Sequence, residues 1–252
     1  NLFFISFLLQ SELKIMFKRN DKILVIAAHP DDEVIGCGGV ILKAINIGAK
    51  VSVLFLGEGV STRFPDKEKS KECIKAIKFR ELNAVKCLKV LGVKDYDFNH
   101  YLCTRFDSYP IINFVRLIEH KIKSFKPNII FTHNASEINI DHIVAHQATE
   151  IACRPLSNSS VKSVYSFEAV CSGNFKFDKK FNPNIYIDIK KYFKKKINAL
   201  KCYRDELKKY PFPRSIQGIE IQAKYRGLQS GLEYSEAFKL ERMIFSIDES
   251  KK

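Results

Sequence analysis

An apolar run that ends in a cluster of polar side chains constrains the fold more than any other stretch of the chain. Residues 23–28 are Ile-Leu-Val-Ile-Ala-Ala, and the sequence His-Pro-Asp-Asp-Glu follows at residues 29–33. An apolar run without polar alternation is typical of a strand that is buried on both faces of a parallel sheet. Such sheets bind ligands just beyond the carboxyl ends of their strands. The polar cluster is therefore predicted to lie at a functional edge of an α/β sheet.

Two interpretations of this cluster are open from the residues alone. Pro and Asp are common in turns, so the stretch could simply end a strand. Alternatively, one aspartate could bind a metal with His29 while the other faces the open coordination position of that metal. Asp31 and Asp32 could divide the work in this way because neighbouring side chains on an extended or turning chain project in different directions.

The segments that follow alternate between helix and strand. Residues 34–47 have helical spacing and stop at Gly48, and residues 51–56 form a second apolar strand. A strand, a helix and a strand within about 35 residues make a right-handed βαβ unit. Further helices are predicted at residues 67–91, 111–125, 139–153 and 190–209, and further strands at residues 93–101, 128–132, 161–170 and 185–189. No Gly-x-Gly-x-x-Gly motif follows the first strand, so dinucleotide binding is not implied.

Composition narrows the classes of partner. The formal net charge is +14, but only ten of the 42 basic residues are Arg, the side chain best suited to bidentate phosphate recognition. No basic stretch is interleaved with aromatic residues outside the apparent core segments, so a nucleic-acid partner is not expected. An acidic substrate fits the charge equally well.

Cysteine usage and the chain start suggest a compartment and a domain boundary. The seven cysteines are odd in number and show no Cys-x-x-Cys spacing, so a reducing cytoplasm is predicted. The apolar first ten residues are far fewer than the ~20 that span a bilayer, and they lack a secretory leader, so no transmembrane segment is predicted. Since residue 1 is not Met and Met16 could serve as the start, residues 1–15 are predicted to be a non-native or disordered extension. Residues 16–252 are predicted to form a single domain.

A second polar cluster lies downstream of the first. The sequence Asn-Ile-Asp-His at residues 139–142 opens a predicted helix, and His133 ends the strand before it. His142 and His146 are four residues apart, a spacing at which one helix face can offer two ligands to one metal. No Glu follows His142, so the metalloprotease motif His-Glu-x-x-His is absent. His146 taken alone is predicted to be a packed or surface side chain.

These two clusters resemble the motifs of the PIG-L/LmbE-like family of zinc-dependent N-deacetylases. Residues 29–33 match its His-Pro-Asp-Asp-Glu signature, and Asp141-His142 matches the end of its His-x-Asp-His motif. Further stretches resemble one branch of that family, so the resemblance covers about Lys22 to Phe245. It implies a Rossmann-like α/β fold with a mostly parallel sheet and helices on both faces.

The resemblance also implies a reaction and a metal site. The expected reaction is hydrolysis of an acetamide on an N-acetylglucosamine-type amino sugar, free or linked to a nucleotide or lipid, with release of acetate. His29, Asp32 and His142 would hold Zn²⁺, or another divalent metal such as Fe²⁺, and leave one coordination position open. Asp31 would act as the base.

Asn139 stands where many relatives have a His that stabilises the transition state or donates a proton. Asn can donate a hydrogen bond to an oxyanion but cannot exchange a proton. Asn139 is therefore predicted to be a catalytic donor. The group that donates the proton in the acid step then remains open. It could be Asp31, or a histidine such as His133 or His146.

Three arginines are the predicted substrate contacts. Arg80 lies twelve residues before Gly92, where the family has a substrate-contacting Arg, although a solvated helix charge is the more usual meaning. Arg63 follows the second strand in a loop over the site, and Arg214 lies in a Pro-rich loop that it could simply cap.

Two other functions stay open, namely a metal-dependent amidase that acts on another acyl amide, and a non-catalytic relative that binds a sugar or a nucleic acid.

Overall fold

A single seven-stranded sheet organises the protein. The computed structural model describes residues 16–156, 159–178 and 180–245, and the predicted extension at residues 1–15 lies outside them. The strands are β1 Lys22–Ala27, β2 Lys50–Gly57, β3 Asp95–Tyr101, β4 Ile129–His133, β5 Ser163–Phe167, β6 Ile185–Asp188 and β7 Ser235–Met243. Their order is β3-β2-β1-β4-β5-β7-β6. Strands β1 to β5 pair in parallel, whereas β7 is antiparallel to β5 and to β6. The predicted mostly parallel sheet is confirmed.

Helices cover both faces of this sheet, as predicted. They are α1 Asp32–Ile47, α2 Lys71–Leu91, α3 Ile111–Phe125, α4 Ile140–Ala152, α5 Lys190–Leu200 and α6 Ile216–Leu228. One hydrophobic core joins α1, α2, α5 and α6 to the sheet, and a second core joins α3 and α4 to the opposite face. No helix within the described ranges is both long enough and apolar enough to cross a membrane.

The central position of β1 explains its continuous apolar sequence. Ile23, Val25 and Ala27 belong to one core, while Leu24 and Ile26 belong to the other. Because side chains alternate between the two faces of a strand, a strand covered on both faces needs apolar residues at every position. This burial anchors the loop that carries the polar cluster.

The predicted helix at residues 190–209 is wrong in its second half. Helix α5 ends at Leu200, and the chain then turns towards the sheet edge. Tyr203 is 1% exposed, and its hydroxyl donates a hydrogen bond to Glu33 Oε1 at 2.7 Å. Glu206 is 3% exposed and contacts arginines at the same edge. These contacts fix the chain after Leu200 at the sheet edge, so tertiary contacts override the local helical pattern.

Two helix starts also differ from the sequence prediction. The helix predicted from residue 67 begins at Lys71, because the Ser70 hydroxyl accepts a hydrogen bond from Cys73 N–H at 3.2 Å and caps the helix there. Helix α6 was not predicted. It follows Ser215, whose hydroxyl accepts a hydrogen bond from Gly218 N–H at 2.9 Å.

Candidate active site

Two adjacent aspartates at the carboxyl end of β1 point in different directions. Asp32 begins α1, and its Oδ2 accepts a hydrogen bond from His29 N–H at 2.8 Å. Asp31 precedes the helix with a φ of 126°, a conformation that costs free energy for any residue except Gly. The strained backbone aims Asp31 at a set of arginines and Asp32 at a set of histidines.

The structure brings together the three residues that the sequence predicts as metal ligands. Potential ligand atoms of His29, Asp32 and His142 all lie within 4.8 Å of one another. Asp32 Oδ2 is 3.6 Å from His29 Nδ1 and 3.5 Å from His142 Nε2. All three side chains are buried, at 5%, 4% and 3% exposure respectively. Their role as metal ligands remains a prediction.

His29 and His142 each donate a hydrogen bond to a buried carboxylate on the side away from Asp32. His29 Nε2–H donates to Asp141 Oδ2 at 2.8 Å, and His142 Nδ1–H donates to Glu137 Oε2. Carboxylate partners of this kind fix the tautomer and the orientation of metal-binding imidazoles. Here they leave His29 Nδ1 and His142 Nε2 facing Asp32. We call these five residues the metal wall.

The donor set of the metal wall fits a divalent cation. Two imidazoles and one carboxylate are found in catalytic zinc sites and also in iron(II) sites. Burial opposes ionisation of Asp32, but His142 and His133 more than offset this and hold its pKa well below the usual range. Asp32 is therefore an anionic ligand group, whose negative charge would be matched by a cation.

Neither histidine proposed as an alternative acid reaches the pocket. His133 is fully buried beneath His142, with their ring centroids 3.9 Å apart, and its Nε2 accepts a hydrogen bond from Ala28 N–H. His146 Nδ1–H donates to the carbonyl of His133 at 2.9 Å. Among the residues that the structure describes, His29 and His142 are the histidines that line the pocket.

Asn139 lines the pocket and caps helix α4. Its Oδ1 accepts a hydrogen bond from Asp141 N–H at 2.9 Å, which satisfies one of the free donors at the helix start. This capping bond leaves the Nδ2 amide as the donor of the side chain. The predicted action of Asn139 on an oxyanion would have to come from this amide.

Opposite the metal wall, Arg80 holds Asp31 in place. Arg80 is 5% exposed, its Nε–H donates to the carbonyl of Pro30 at 2.7 Å, and its Nη2 lies 3.1 Å from Asp31 Oδ2. It also pairs with Glu206. Arg80 therefore faces the predicted base directly.

Two further arginines complete this side of the pocket. Arg63 Nη2–H donates to both Glu206 oxygens at 2.6 and 2.7 Å. Arg214 Nη1 lies 3.3 Å from Asp31 Oδ2, and its Nη2 lies 3.7 Å from Glu206 Oε2. We call Arg63, Arg80, Arg214 and Glu206 the arginine wall. Residues of both walls line one pocket, with a volume of about 250 Å³.

The setting of Asp31 suits a general base. Burial raises its pKa, and the charges of Arg80 and Arg214 only partly oppose that rise, so the pKa stays above the usual value. A raised pKa lies closer to pH 7, so the carboxylate accepts a proton more readily at that pH and can later return it.

Sequence reasoning missed four residues of this site. Glu137 lies five residues before His142, between a strand end and a helix start, and its proximity to a predicted ligand is a usable signal. Glu33 Oε2 accepts a hydrogen bond from Asp31 N–H at 2.9 Å, and Glu33 Oε1 accepts another from the Tyr203 hydroxyl. Tyr203 and Glu206 carried no signal, because both fell inside a predicted basic helix.

Comparisons with known proteins point to one family. The family model described as GlcNAc-PI de-N-acetylase (PIG-L) matches residues 24–153. Among curated proteins, the uncharacterized deacetylase YaiS of Escherichia coli is 23% identical over 202 residues, which span 78% of this chain and 97% of that protein. The family resemblance read from residues 29–33 and 139–142 is thus confirmed.

Solved structures share the fold at low sequence identity. The N,N′-diacetylchitobiose deacetylase of Pyrococcus horikoshii is 21% identical with a TM-score of 0.70, and the match covers 88% of this chain and 84% of that one. GalB of Pseudomonas putida, a 4-carboxy-2-hydroxymuconate hydratase, is 18% identical with a TM-score of 0.71, and the match covers 90% and 99%. Because one fold carries both reactions, the fold alone does not decide the chemistry.

Proposed function

We propose, from the premise that this chain belongs to the PIG-L family, that it is a metal-dependent N-deacetylase acting on an N-acetylglucosamine-type amino sugar. The reaction would hydrolyse the acetamide and release acetate and the free amine. The observation that carries this proposal is the pairing of a buried His-Asp-His group with a separate carboxylate, Asp31, in one pocket.

His29, Asp32 and His142 would hold the metal, with Zn²⁺ as the expected ion and Fe²⁺ as the alternative. When bound, the ion would lower the pKa of water and polarise the acetamide carbonyl. Asp141 and Glu137 would keep the imidazoles oriented for this task.

Asp31 would take the proton of the attacking water and later return it to the leaving amine. Its raised pKa and its contacts with Arg80 and Arg214 support both steps. The Asn139 amide would donate a hydrogen bond to the oxyanion of the tetrahedral intermediate. No proton needs to come from His133 or His146, since neither lines the pocket.

The arginine wall would bind the sugar and its substituents. Arg63 and Arg214 are the exposed members, with 44% and 26% of their side chains accessible, whereas Arg80 is the buried one. We place the enzyme in the cytoplasm, because all seven cysteines are free thiols, as suits a reducing compartment.

An assay of acetate release across free, nucleotide-linked and lipid-linked N-acetyl sugars tests this function. The expected result is one acetate for each free amine formed with the zinc-loaded protein, and loss of that activity after treatment with a chelator. If none of these sugars releases acetate while another acyl amide is cleaved, the amidase alternative replaces the sugar deacetylase. If no amide is cleaved by fully metal-loaded protein, the catalytic proposal is wrong.

A further inference from the structure

We propose that the arginine wall recognises an anionic group, a phosphate or a carboxylate, attached next to the acetamide of the N-acetyl sugar. This inference rests on the proposed function and adds the substrate class to it. It assigns the anion contact to Arg63 and Arg214, the two arginines of the wall that solvent reaches.

The charges of the arginine wall do not balance. Three guanidinium groups face two carboxylates, those of Asp31 and Glu206, so one positive charge is left over. Asp32 also attracts Arg80, but it is the smallest of the charges that act on Arg80, and in the proposed function a bound cation would match it. A pocket that holds surplus positive charge in partly buried surroundings favours an anionic ligand.

Arg214 also has unused hydrogen-bonding capacity. Its contacts with Asp31 and Glu206 are long, at 3.3 and 3.7 Å, and its Nε–H is buried without a hydrogen-bond partner among the described residues. Buried donors are rarely left unpaired in native proteins, so an orphaned guanidinium donor beside a pocket calls for a ligand acceptor. By contrast, Arg80 makes shorter bonds to Pro30 and Asp31.

Arg63 offers a second set of donors at the mouth of the pocket. Both of its bonds to Glu206 come from Nη2, so the Nε and Nη1 groups make no bond to the described part of the chain. A guanidinium can bind a carboxylate and a phosphate with different edges at the same time, because its five N–H groups form a rigid planar fork. Glu206 would then orient Arg63 for the ligand.

The position of Arg214 determines where the anion must sit on the substrate. Arg214 touches Asp31, which in the proposed mechanism lies against the reacting acetamide. An anion bound there would be attached to a ring carbon adjacent to the acetamide-bearing carbon. No Phe or Tyr side chain is among the described residues that line the pocket, so recognition falls on charge and hydrogen bonds.

Binding measurements with three probes test this inference. The probes are N-acetylglucosamine 1-phosphate, N-acetylmuramic acid and the neutral methyl glycoside of N-acetylglucosamine, titrated by calorimetry into zinc-loaded and into chelator-treated protein. We expect one of the anionic probes to bind at least about tenfold more tightly than the neutral one in both forms, as one charge-assisted hydrogen bond would provide. The anion that binds more tightly identifies the phosphate or the carboxylate as the natural group.

Arg63→Gln is the decisive variant, because the Arg63 side chain is half exposed and its loss should not unfold the protein. It should remove most of the preference for the anionic probe and raise the KM for that probe more than it lowers kcat. Arg154→Gln is the matched control, since Arg154 forms an exposed pair with Glu119 and does not line the pocket. This control should keep the preference.

Two outcomes would overturn the inference. One is equal binding of the anionic and neutral probes by the wild-type protein. The other is a preference that survives in Arg63→Gln, since the anion would then bind elsewhere; if that preference also vanishes in chelator-treated protein, the anion binds the metal. Either result would leave the deacetylase proposal intact, because acetate release from free, nucleotide-linked and lipid-linked sugars is measured separately.

Discussion

The metal wall and the arginine wall of the pocket differ in how firmly their side chains are held. In the metal wall all five residues are at most 5% exposed, and each histidine has a carboxylate behind it. In the arginine wall, Arg63 and Arg214 are partly exposed, and Arg214 Nε has no partner among the described residues. Side chains that are held rigidly can position the reacting groups precisely. Arginines with unpaired N–H groups can instead bind a ligand.

The two walls also draw in part on different segments of the chain. The whole metal wall lies inside residues 24–153, the range that the family model matches. In the arginine wall, Arg63 and Arg80 also lie inside that range, whereas Arg214 and Glu206 lie beyond it, between helices α5 and α6. The segment between α5 and α6 therefore completes a wall to which the matched region already contributes two arginines. Variants at and next to the two walls test how differently their side chains are held.

The largest expected effect separates the metal ligand from the base. Asp32→Ala should remove the bound metal and reduce activity below detection, because it deletes one of three ligands. Asp31→Asn should retain the metal and lower kcat by about 10²- to 10⁴-fold, since an amide cannot accept the proton of water. Elemental analysis together with kinetics distinguishes the two. Equal metal loss in both variants would show that the assignment of the two aspartates is wrong.

Asn139 should have the next largest effect, in keeping with its place at the rim of the metal wall. Asn139→Ala should lower kcat by about 10²- to 10³-fold with little change in substrate binding, as loss of an oxyanion donor does. It also removes a helix cap, at a cost of about 1 kcal/mol in unfolding free energy. Asn139→Asp is the matched control.

The aspartate in that control can cap α4 but cannot donate a hydrogen bond when ionised. If Asn139→Asp is as slow as Asn139→Ala but as stable as the wild type, the donor role is supported. Near-normal kcat in Asn139→Ala would remove Asn139 from the mechanism.

Glu137 tests whether the metal wall depends on its outer carboxylates. Glu137→Gln should weaken metal affinity by about 10- to 100-fold, because an amide holds the His142 imidazole less firmly than a carboxylate does. Competition with a coloured chelator measures this affinity. Glu119→Gln, on the exposed surface of α3, is the matched control and should bind the metal as the wild type does. Unchanged affinity in Glu137→Gln would mean that Glu137 only fills space.

Arg80 tests how far the two walls are independent, since it belongs to the arginine wall but contacts the base. Arg80→Met should raise the pKa of Asp31 further, because an opposing charge is removed. The low-pH limb of kcat/KM should therefore move to higher pH, as ionised Asp31 is needed. Arg80→Lys keeps the charge and should move the limb less. A limb that stays in place in both variants would assign it to another group.

The smallest expected effect concerns Glu33, whose carboxylate accepts a hydrogen bond from Asp31 N–H. Burial raises the pKa of Glu33 from 4.5 to about 7. The folded protein therefore holds this proton more tightly than the unfolded chain, so the unfolding free energy should fall as pH rises from about 4.5 to about 7. One such shift is worth about 3 kcal/mol at most.

Chelator-treated protein isolates this effect from the metal. Glu33→Gln can keep both hydrogen bonds, with its oxygen accepting from Asp31 N–H and its amide donating to the Tyr203 hydroxyl. Denaturant unfolding at several pH values should show a flatter profile for this variant than for the wild type. Parallel profiles would contradict a raised pKa for Glu33.

Much of the fold could be read from the residues because its signals are local. The α3 helix at residues 111–125 was predicted with its observed bounds. The uninterrupted apolar run of β1 predicted a strand that is buried on both faces. The end of α5 could not be predicted. Its basic sequence continues to favour a helix, whereas the contact of Tyr203 beyond the helix end is with Glu33, a residue 170 positions away.

The sequence by itself determined the candidate ligands and the edge of the sheet where they would meet. His29, Asp31 and Asp32 follow a strand whose continuous apolar sequence predicts burial on both faces, and parallel strands present their carboxyl ends together. Which partner each of these side chains faces was decided by the tertiary structure alone. Glu206 and Arg214 acquire their contacts from residues 143 and 183 positions away in the chain, and hydrogen bonds at that separation leave no local pattern in the sequence.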